Sequence, residues 1–313
     1  MPNTTASAPP PGARPREIKH LSYSSMSAWQ KCGKSYQLGR VQGIRGTPAW
    51  WNIGGNAVHS VLEVWDHFFH EHGAPSWGDA ELQSAFTGAL ESEIDWAAQA
   101  EPDRSKWRIK RMSSEGYDWW MENGPRMCQS YIDWRLRSPS WEIWTTPDGE
   151  PAIELDVSGY LPGCDMEIKA YLDRVFCNKL FNRLEIVDFK SGSSVGTDLQ
   201  FGTYSALLIQ KYGAVGEADF GHTFRTRDNS HKRNGKGPGL ISHSQPLAKW
   251  TPRYAGMQFA KMSTAVKGGM FLANTSDEGW CNNVCDLSAH CYAAGGELSA
   301  QSDPDHPDYA LRP

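Results

Sequence analysis

Glu185-Ile186-Val187-Asp188-Phe189-Lys190-Ser191-Gly192 is a short apolar run that ends in Asp-x-Lys. Strand side chains alternate faces with period two, so Asp188 and Lys190 project to one side while Val187 and Phe189 face the other. An acid and a base therefore share one site. Leu172-Asp173-Arg174-Val175 closes the alternating stretch Met166-Glu167-Ile168-Lys169-Ala170-Tyr171, as a preceding hairpin strand would. Metal-assisted phosphodiester hydrolysis needs carboxylates to hold a divalent cation, and a protein cation to orient or deprotonate the attacking water. Asp173, Asp188 and Lys190 are groups of those kinds. Taken alone, an Asp and a Lys two residues apart are also what a solvated edge strand shows, so their surroundings decide between the two readings.

Ser191-Gly192-Ser193-Ser194 breaks the strand, and a helix-like segment follows from about Thr197 to Tyr212. Gln200 and Tyr204 stand four apart in it, on one helical face. Upstream, three strand-like segments succeed one another over Ala152 to Leu161, Met166 to Cys177 and Arg183 to Lys190, separated by Pro162-Gly163 and Asn178-Lys179. A β-like stretch near Ala218 to Thr226 and a last helical segment, about Pro252 to Phe271, come after. From Ser22 to about Trp144 the pattern is mainly helical, with Ser24 or Ser25 as N-cap of a first helix and Gly54-Gly55 opening the next.

The constellation of Asp173, Asp188, Lys190, Gln200 and Tyr204 resembles the PD-(D/E)xK nuclease superfamily, more closely its RecB-like exonuclease branch, known from phage and CRISPR-associated proteins. That branch carries a Gly-x-x-x-His motif on an N-terminal helix, matched here by Gly55-Asn56-Ala57-Val58-His59. The resemblance runs from about Leu21 to Cys291. It implies an α/β fold with a restriction-endonuclease-like core (helix, three strands, helix, strand), a helical N-terminal insertion and a cysteine-bearing C-terminal region. It further implies a metal-dependent DNA exonuclease acting in end processing, recombination or repair, on DNA that is single-stranded or has free ends, with a recombination or helicase partner. Asp173 and Asp188 would then bind Mg²⁺ or Mn²⁺ together with His59 and the backbone carbonyl of Phe189. Imidazole nitrogen among the ligands favours Mn²⁺. Lys190 would orient water or stabilise developing charge, with Gln200 and Tyr204 supporting it or the DNA strand. Glu154, on the first strand, is either a peripheral acid or a solvated side chain. An endonuclease on the same fold, or a subunit that holds DNA without cutting, are the alternatives.

Seven cysteines in a chain that reads as intracellular argue against a disulfide framework. Three of them, Cys281-x3-Cys285-x5-Cys291, have spacing typical of metal or cluster ligation, and a fourth ligand is needed. The resemblance points to Cys32, because iron–sulfur members of the branch place one cysteine near the N-terminus and three near the C-terminus. A [4Fe-4S] cluster is implied, with structural zinc as the alternative and His290 replacing a cysteine. Gly33 stands where many relatives have proline, and the C-x3-C spacing departs from their C-x2-C. Cys128, Cys164 and Cys177 read as buried small apolar residues.

The net charge of −5, from 31 basic and 36 acidic residues, is not that of a protein wrapped around nucleic acid, so DNA contact rests on local patches. Two basic stretches qualify: Arg104, Lys106, Arg108, Lys110 and Arg111, then Arg225, Arg227, Lys232, Arg233 and Lys236. Most of the tryptophans read as core, with Trp107 as a candidate for stacking on unpaired bases. Gly33-Lys34-Ser35 looks like the end of a phosphate-binding loop, but Ala28 stands where that loop needs glycine, so motor activity is excluded. His67, His70 and His72 read as a solvated face. With no apolar run long enough to span a bilayer and no hydrophobic signal core, the chain is expected in the cytoplasm. The expected division is a disordered tail over 1–17, a helical region over 18–145, the nuclease core over 146–245, a C-terminal helix and cysteine region over 246–295, and a polar tail over 296–313.

Overall fold

The structure, a computed structural model, describes residues 16–73, 77–109, 114–192, 194–233, 235–240, 244–274, 281 and 285–291. Both expected tails, apart from Arg16 and Glu17, lie outside the described residues, as do Lys110, Arg111 and Ser193.

The chain opens with β1 (His20–Ser22) and α1 (Tyr23–Lys31). Ser22, not Ser24 or Ser25, is the N-cap: its Oγ accepts from Ser25 N at 3.1 Å while Ser25 Oγ accepts from Ser22 N at 2.8 Å. This reciprocal box satisfies two otherwise orphaned donors. Cys32, in extended backbone, ends α1 and caps the short α2 (Gly33–Tyr36), its Sγ accepting from Ser35 N at 3.5 Å. Three long helices follow: α3 (Trp50–His72), α4 (Asp79–Ala98) and α5 (Tyr117–Arg137). Helix α3 starts four residues before the expected Gly54-Gly55 opening. Those glycines serve close approach instead, since a Cβ on Gly54 would lie 2.0 Å from Trp120 and one on Gly55 2.9 Å from Ser191 Oγ.

Helical structure stops at Arg137, and the expected helical stretch up to Trp144 contains a strand, β2 (Trp141–Ile143), because its backbone groups pair with a sheet edge. Then come β3 (Ile153–Asp156), β4 (Glu167–Lys169), β5 (Tyr171–Asn178) and β6 (Arg183–Lys190). The expected 166–177 strand is thus two, divided at Ala170: β4 joins β1 in a parallel pair, while β5 enters the main sheet. Helix α6 (Asp198–Tyr212), β7 (Ala218–Arg225), β8 (Gly239–Leu240), β9 (Gln245–Pro246) and α7 (Pro252–Lys267) complete the order. Helix α7 ends at Lys267, short of Phe271, where Gly268-Gly269 stop it and Gly269 takes φ +70°.

The main sheet runs β2-β5-β6-β7-β8, with β3 also on β5 and β9 on β7. Strand β6 is antiparallel to β5 and parallel to β7, and the parallel step is spanned by α6. The sheet separates two cores. Val187, Phe189, Phe176 and Phe224 pack with α3, α4 and α5. Leu184 and Ile186 pack with Phe201 and Leu207 of α6 and Phe259 of α7. Period-two alternation puts Asp188 and Lys190 on the Ile186 face, beside α6. Among the described residues, no helix is long and apolar enough to cross a membrane.

Candidate active site

The C-terminal half of β6 is where the acid and base meet. Lys190 Nζ lies 2.9 Å from Asp188 Oδ1 and 2.7 Å from Oδ2. Gln200, one turn into α6, donates Nε2 to Asp188 Oδ1 at 2.7 Å and to Tyr204 Oη at 3.2 Å. Thr197 caps α6 by accepting from Gln200 N at 3.1 Å, which fixes the start of that helix against the site. On the neighbouring strand, Asp173 Oδ2 accepts from Phe189 N at 2.6 Å and stands 3.7 Å from His59 Nδ1 of α3. The five expected polar side chains and His59 therefore gather around the ends of two paired strands. Asp188 Oδ2 is buried and meets the Lys190 ammonium as an ion pair, not as an aligned hydrogen bond.

His59, Glu154 and Asp173 each present a ligand atom, all within 4.8 Å of one another. Asp188 lies outside this triplet, held instead by Lys190 and Gln200. Glu154, which the sequence leaves between a peripheral acid and a solvated side chain, thus stands among the candidate ligands. Its backbone has φ +47°, a left-handed conformation uncommon for glutamate. Ile153 joins the helical core and Leu155 the other, so the kink breaks the strand's alternation at Glu154. Strain of this kind persists where the surroundings over-determine it, commonly at functional sites. Beneath the triplet, fully buried Arg174 donates Nε to Asp66 Oδ2 at 2.5 Å, and NH1 to Glu154 Oε1 at 3.3 Å and to the Asp173 carbonyl. Tyr131 Oη donates to Asp66 Oδ2 at 2.7 Å.

Burial, then the charge of Asp173, pushes Glu154 up to about 7. The same two causes, in that order, push Asp188 up to about 6. Burial opposes the charge on Lys190, but the Asp188 carboxylate outweighs it and the ammonium is held above its ordinary range. A raised carboxyl binds its proton more tightly in the folded chain than in the unfolded one. Its contribution to stability is present below the ordinary carboxylate range and is lost as pH rises through about 6 to 7. Thermal melts without metal are therefore expected to fall between pH 5 and pH 8, and added Mn²⁺ to raise the melting temperature more at pH 8. A Mn²⁺ shift of equal size at both values would contradict the carboxylate cluster as its binding site.

Lys190, Gln200 and Tyr204 line a groove of about 930 Å³ whose walls also carry Tyr23, Lys31 and Arg40. Tyr23 and Lys31 reach the site on α1 and Arg40 on the segment after α2, placements that only the fold makes. The basic stretches behave differently from expectation. Arg104 pairs with Glu91 at 3.9 Å, Lys106 with Glu101 at 3.7 Å, and Arg108 donates to Thr47 O at 3.1 Å. Arg227 pairs with Glu115 at 3.0 Å and stacks over Trp119. Arg104, Lys106 and Arg108 of the first stretch and Arg227 of the second thus have internal partners. Trp107 is only 3 % exposed, packed on Trp50 with its Nε1 donating to Glu101 O at 2.7 Å, so it is a core residue and not a stacking platform.

Cys32 and two of the C-terminal cysteines share neighbours. Cys32 Sγ accepts from Asn274 N at 3.4 Å, and Cys281 Sγ contacts Asn274 O at 3.8 Å. Ser35, which donates to Cys32, also meets Cys285 Sγ at 3.9 Å through its Oγ. Cys291 is buried with Leu38 and Leu287, and Cys285 packs on that group. His290, beside Cys291, is buried with Nδ1 lacking a partner among the described residues, and burial lowers its pKa, which keeps the ring neutral. Cys128 and Cys164 are buried as expected; Cys177 is only half-buried, although β5 is paired on both sides there.

A sequence model of the PD-(D/E)XK nuclease superfamily matches residues 20–292. Gene 69 protein of Mycobacterium phage D29 is 28% identical over 283 residues, covering 86% of this chain and 95% of that protein. Gene 69 protein of Mycobacterium phage L5 is 23% identical over 284 residues, covering 80% of this chain and 89% of the phage protein.

Proposed function

The chain belongs to the PD-(D/E)XK nuclease superfamily, and on that footing we propose that it is a metal-dependent deoxyribonuclease of the RecB-like branch, cutting from DNA ends in end processing, recombination or repair. The observation that carries this reading is the meeting of His59, Glu154 and Asp173 with Asp188 and Lys190 at the ends of two paired strands. His59, Glu154, Asp173 and Asp188, with the Phe189 carbonyl, would hold Mn²⁺ or Mg²⁺. When bound, such an ion lowers the pKa of water and polarises the scissile phosphate. Lys190, kept cationic by Asp188, orients the attacking water and stabilises the charge that grows on the phosphate oxygens. Gln200 fixes the Asp188 carboxylate through its 2.7 Å bond, and Tyr204 accepts from Gln200 to hold its amide in place. Lys31 and Arg40 are suited to contact the DNA backbone along the groove.

Exonuclease action is tested with end-labelled linear DNA and a closed circle of the same sequence. Degradation of the linear form alone is the expected result; cutting of the circle would establish the endonuclease alternative.

The contacts that Ser35 and Asn274 make with Cys32, Cys281 and Cys285 support these three as ligands of one iron–sulfur cluster, and the spacing of the C-terminal cysteines is the ground for Cys291 as the fourth. Such a centre would tie α1 to the C-terminal segment, a structural role remote from the acids. Purified protein is expected to contain iron and acid-labile sulfide, with the brown colour lost in Cys281→Ala. Stoichiometric zinc without iron would overturn the cluster in favour of a zinc site that includes His290.

A further inference from the structure

A second cavity, of about 260 Å³, lies at the N-terminal end of α3 and is lined by Asn52, Asn56, Trp96, Arg45 and Arg108. Asn52, Asn56 and His59 recur at helical spacing and form one polar stripe on α3. At 1.5 Å rise per residue, the lining residues Asn56 and Asn52 stand about 4.5 and 10 Å along the axis from the candidate metal ligand His59. Asp286 lines both this cavity and the groove of Lys190, so the two are neighbours on one surface.

Trp96 is the unusual member. It is 67 % exposed on the outward side of α4, whose inward residues, such as Leu90 and Ile94, are fully buried. An indole left open beside amide groups and the Arg45 guanidinium has the make-up of a base-stacking platform: a flat π surface for the ring, amides for its edge, and a cation for the phosphate. Asn56 donates Nδ2 to Glu93 Oε2 at 2.9 Å, which orients its amide and leaves the carbonyl oxygen to accept from a base. The Arg108 guanidinium lies 5.0 Å over the Trp51 ring.

We propose that this cavity binds an unpaired nucleotide of the substrate strand, with the base stacked on Trp96, one to two helical turns from the cutting site. The inference rests on the reading of the acid cluster as a DNA-cutting site, and it adds a preference for single strands, because paired bases cannot reach an indole face.

The test uses full-length protein and a fluorescein-labelled dT15 oligonucleotide, with binding followed by anisotropy in EDTA and cleavage followed in Mn²⁺. Trp96→Ala is expected to weaken dT15 binding about 5- to 150-fold, the range for loss of one stacked base. Trp96→Phe should recover most of that loss, and a blunt duplex should bind wild type and both variants alike. Because Trp96 is exposed, the fold is expected to survive, as circular dichroism checks. Equal dT15 affinity in wild type and Trp96→Ala, while wild type still cuts, overturns the cavity and leaves the nuclease reading intact. Trp96-dependent binding without any cleavage does the reverse. A change in oligomeric state on Trp96→Ala with unchanged dT15 affinity makes this tryptophan a protein contact and also overturns the proposal.

Discussion

Asp173→Asn is expected to abolish Mn²⁺ binding and cleavage together, whereas Lys190→Met is expected to abolish cleavage and spare Mn²⁺ binding. The two side chains stand at different places in the same site. Asp173 is within ligand reach of His59 and Glu154, and asparagine at this position can still accept the Phe189 N–H, so only the charge is removed. Lys190 touches Asp188 and not the triplet, so its loss removes the cation that would face the reacting phosphate. Loss of one such stabilising donor costs about 10² to 10³ in kcat, and loss of the cation site at least as much. Calorimetric Mn²⁺ titration beside cleavage rates separates the two roles. Retained Mn²⁺ affinity in Asp173→Asn would remove Asp173 from the ligand set.

The second large effect is on stability. Arg174→Leu leaves Asp66 buried with only the weaker 3.6 Å approach of Arg135 Nε and the Tyr131 hydroxyl for company. Breaking a buried ion pair from one side costs about 3–5 kcal/mol, because the remaining charge has lost both water and partner. For a chain of 313 residues that corresponds to a melting temperature lower by about 5–8 °C. The double variant Arg174→Leu/Asp66→Leu should regain part of the loss, since it removes the stranded carboxylate as well. Glu154 would also lose its 3.3 Å ion pair with Arg174, which helps to place its carboxylate, so Mn²⁺ affinity should fall in the folded fraction. An additive double variant would show that the 2.5 Å contact between Arg174 and Asp66 contributes no coupling.

What the sequence makes legible here is what depends on local periodicity. Asp188 and Lys190 share a face because strands alternate, and Gln200 and Tyr204 share one because helices repeat every 3.6 residues. The order of strands, helix and strand after residue 150 follows from the same patterns. Glu154 escapes that reading because its side chain is re-aimed by a left-handed backbone, and nothing in Ile153-Glu154-Leu155 announces a positive φ. Asp66 and Arg174 escape it because they are 108 residues apart, and each alone reads as an ordinary surface charge. The tryptophans mislead for a related reason. Trp107 sits in a basic stretch yet is buried, and Trp96 sits in an unremarkable helix yet is open, since exposure is decided by neighbours brought in by the fold. The β2 edge strand is likewise masked by the helical pattern before it, because pairing with β5 overrides local propensity.

The most direct measurement is cleavage of an end-labelled oligonucleotide by the wild-type chain across a Mn²⁺ titration, with Lys190→Met run alongside at the same metal occupancy. Product that appears only with the metal, and falls by about 10² or more in Lys190→Met, is the expected result. Cleavage that persists in EDTA, or that Lys190→Met supports at the wild-type rate, would contradict a metal-dependent site built on Asp173, Asp188 and Lys190.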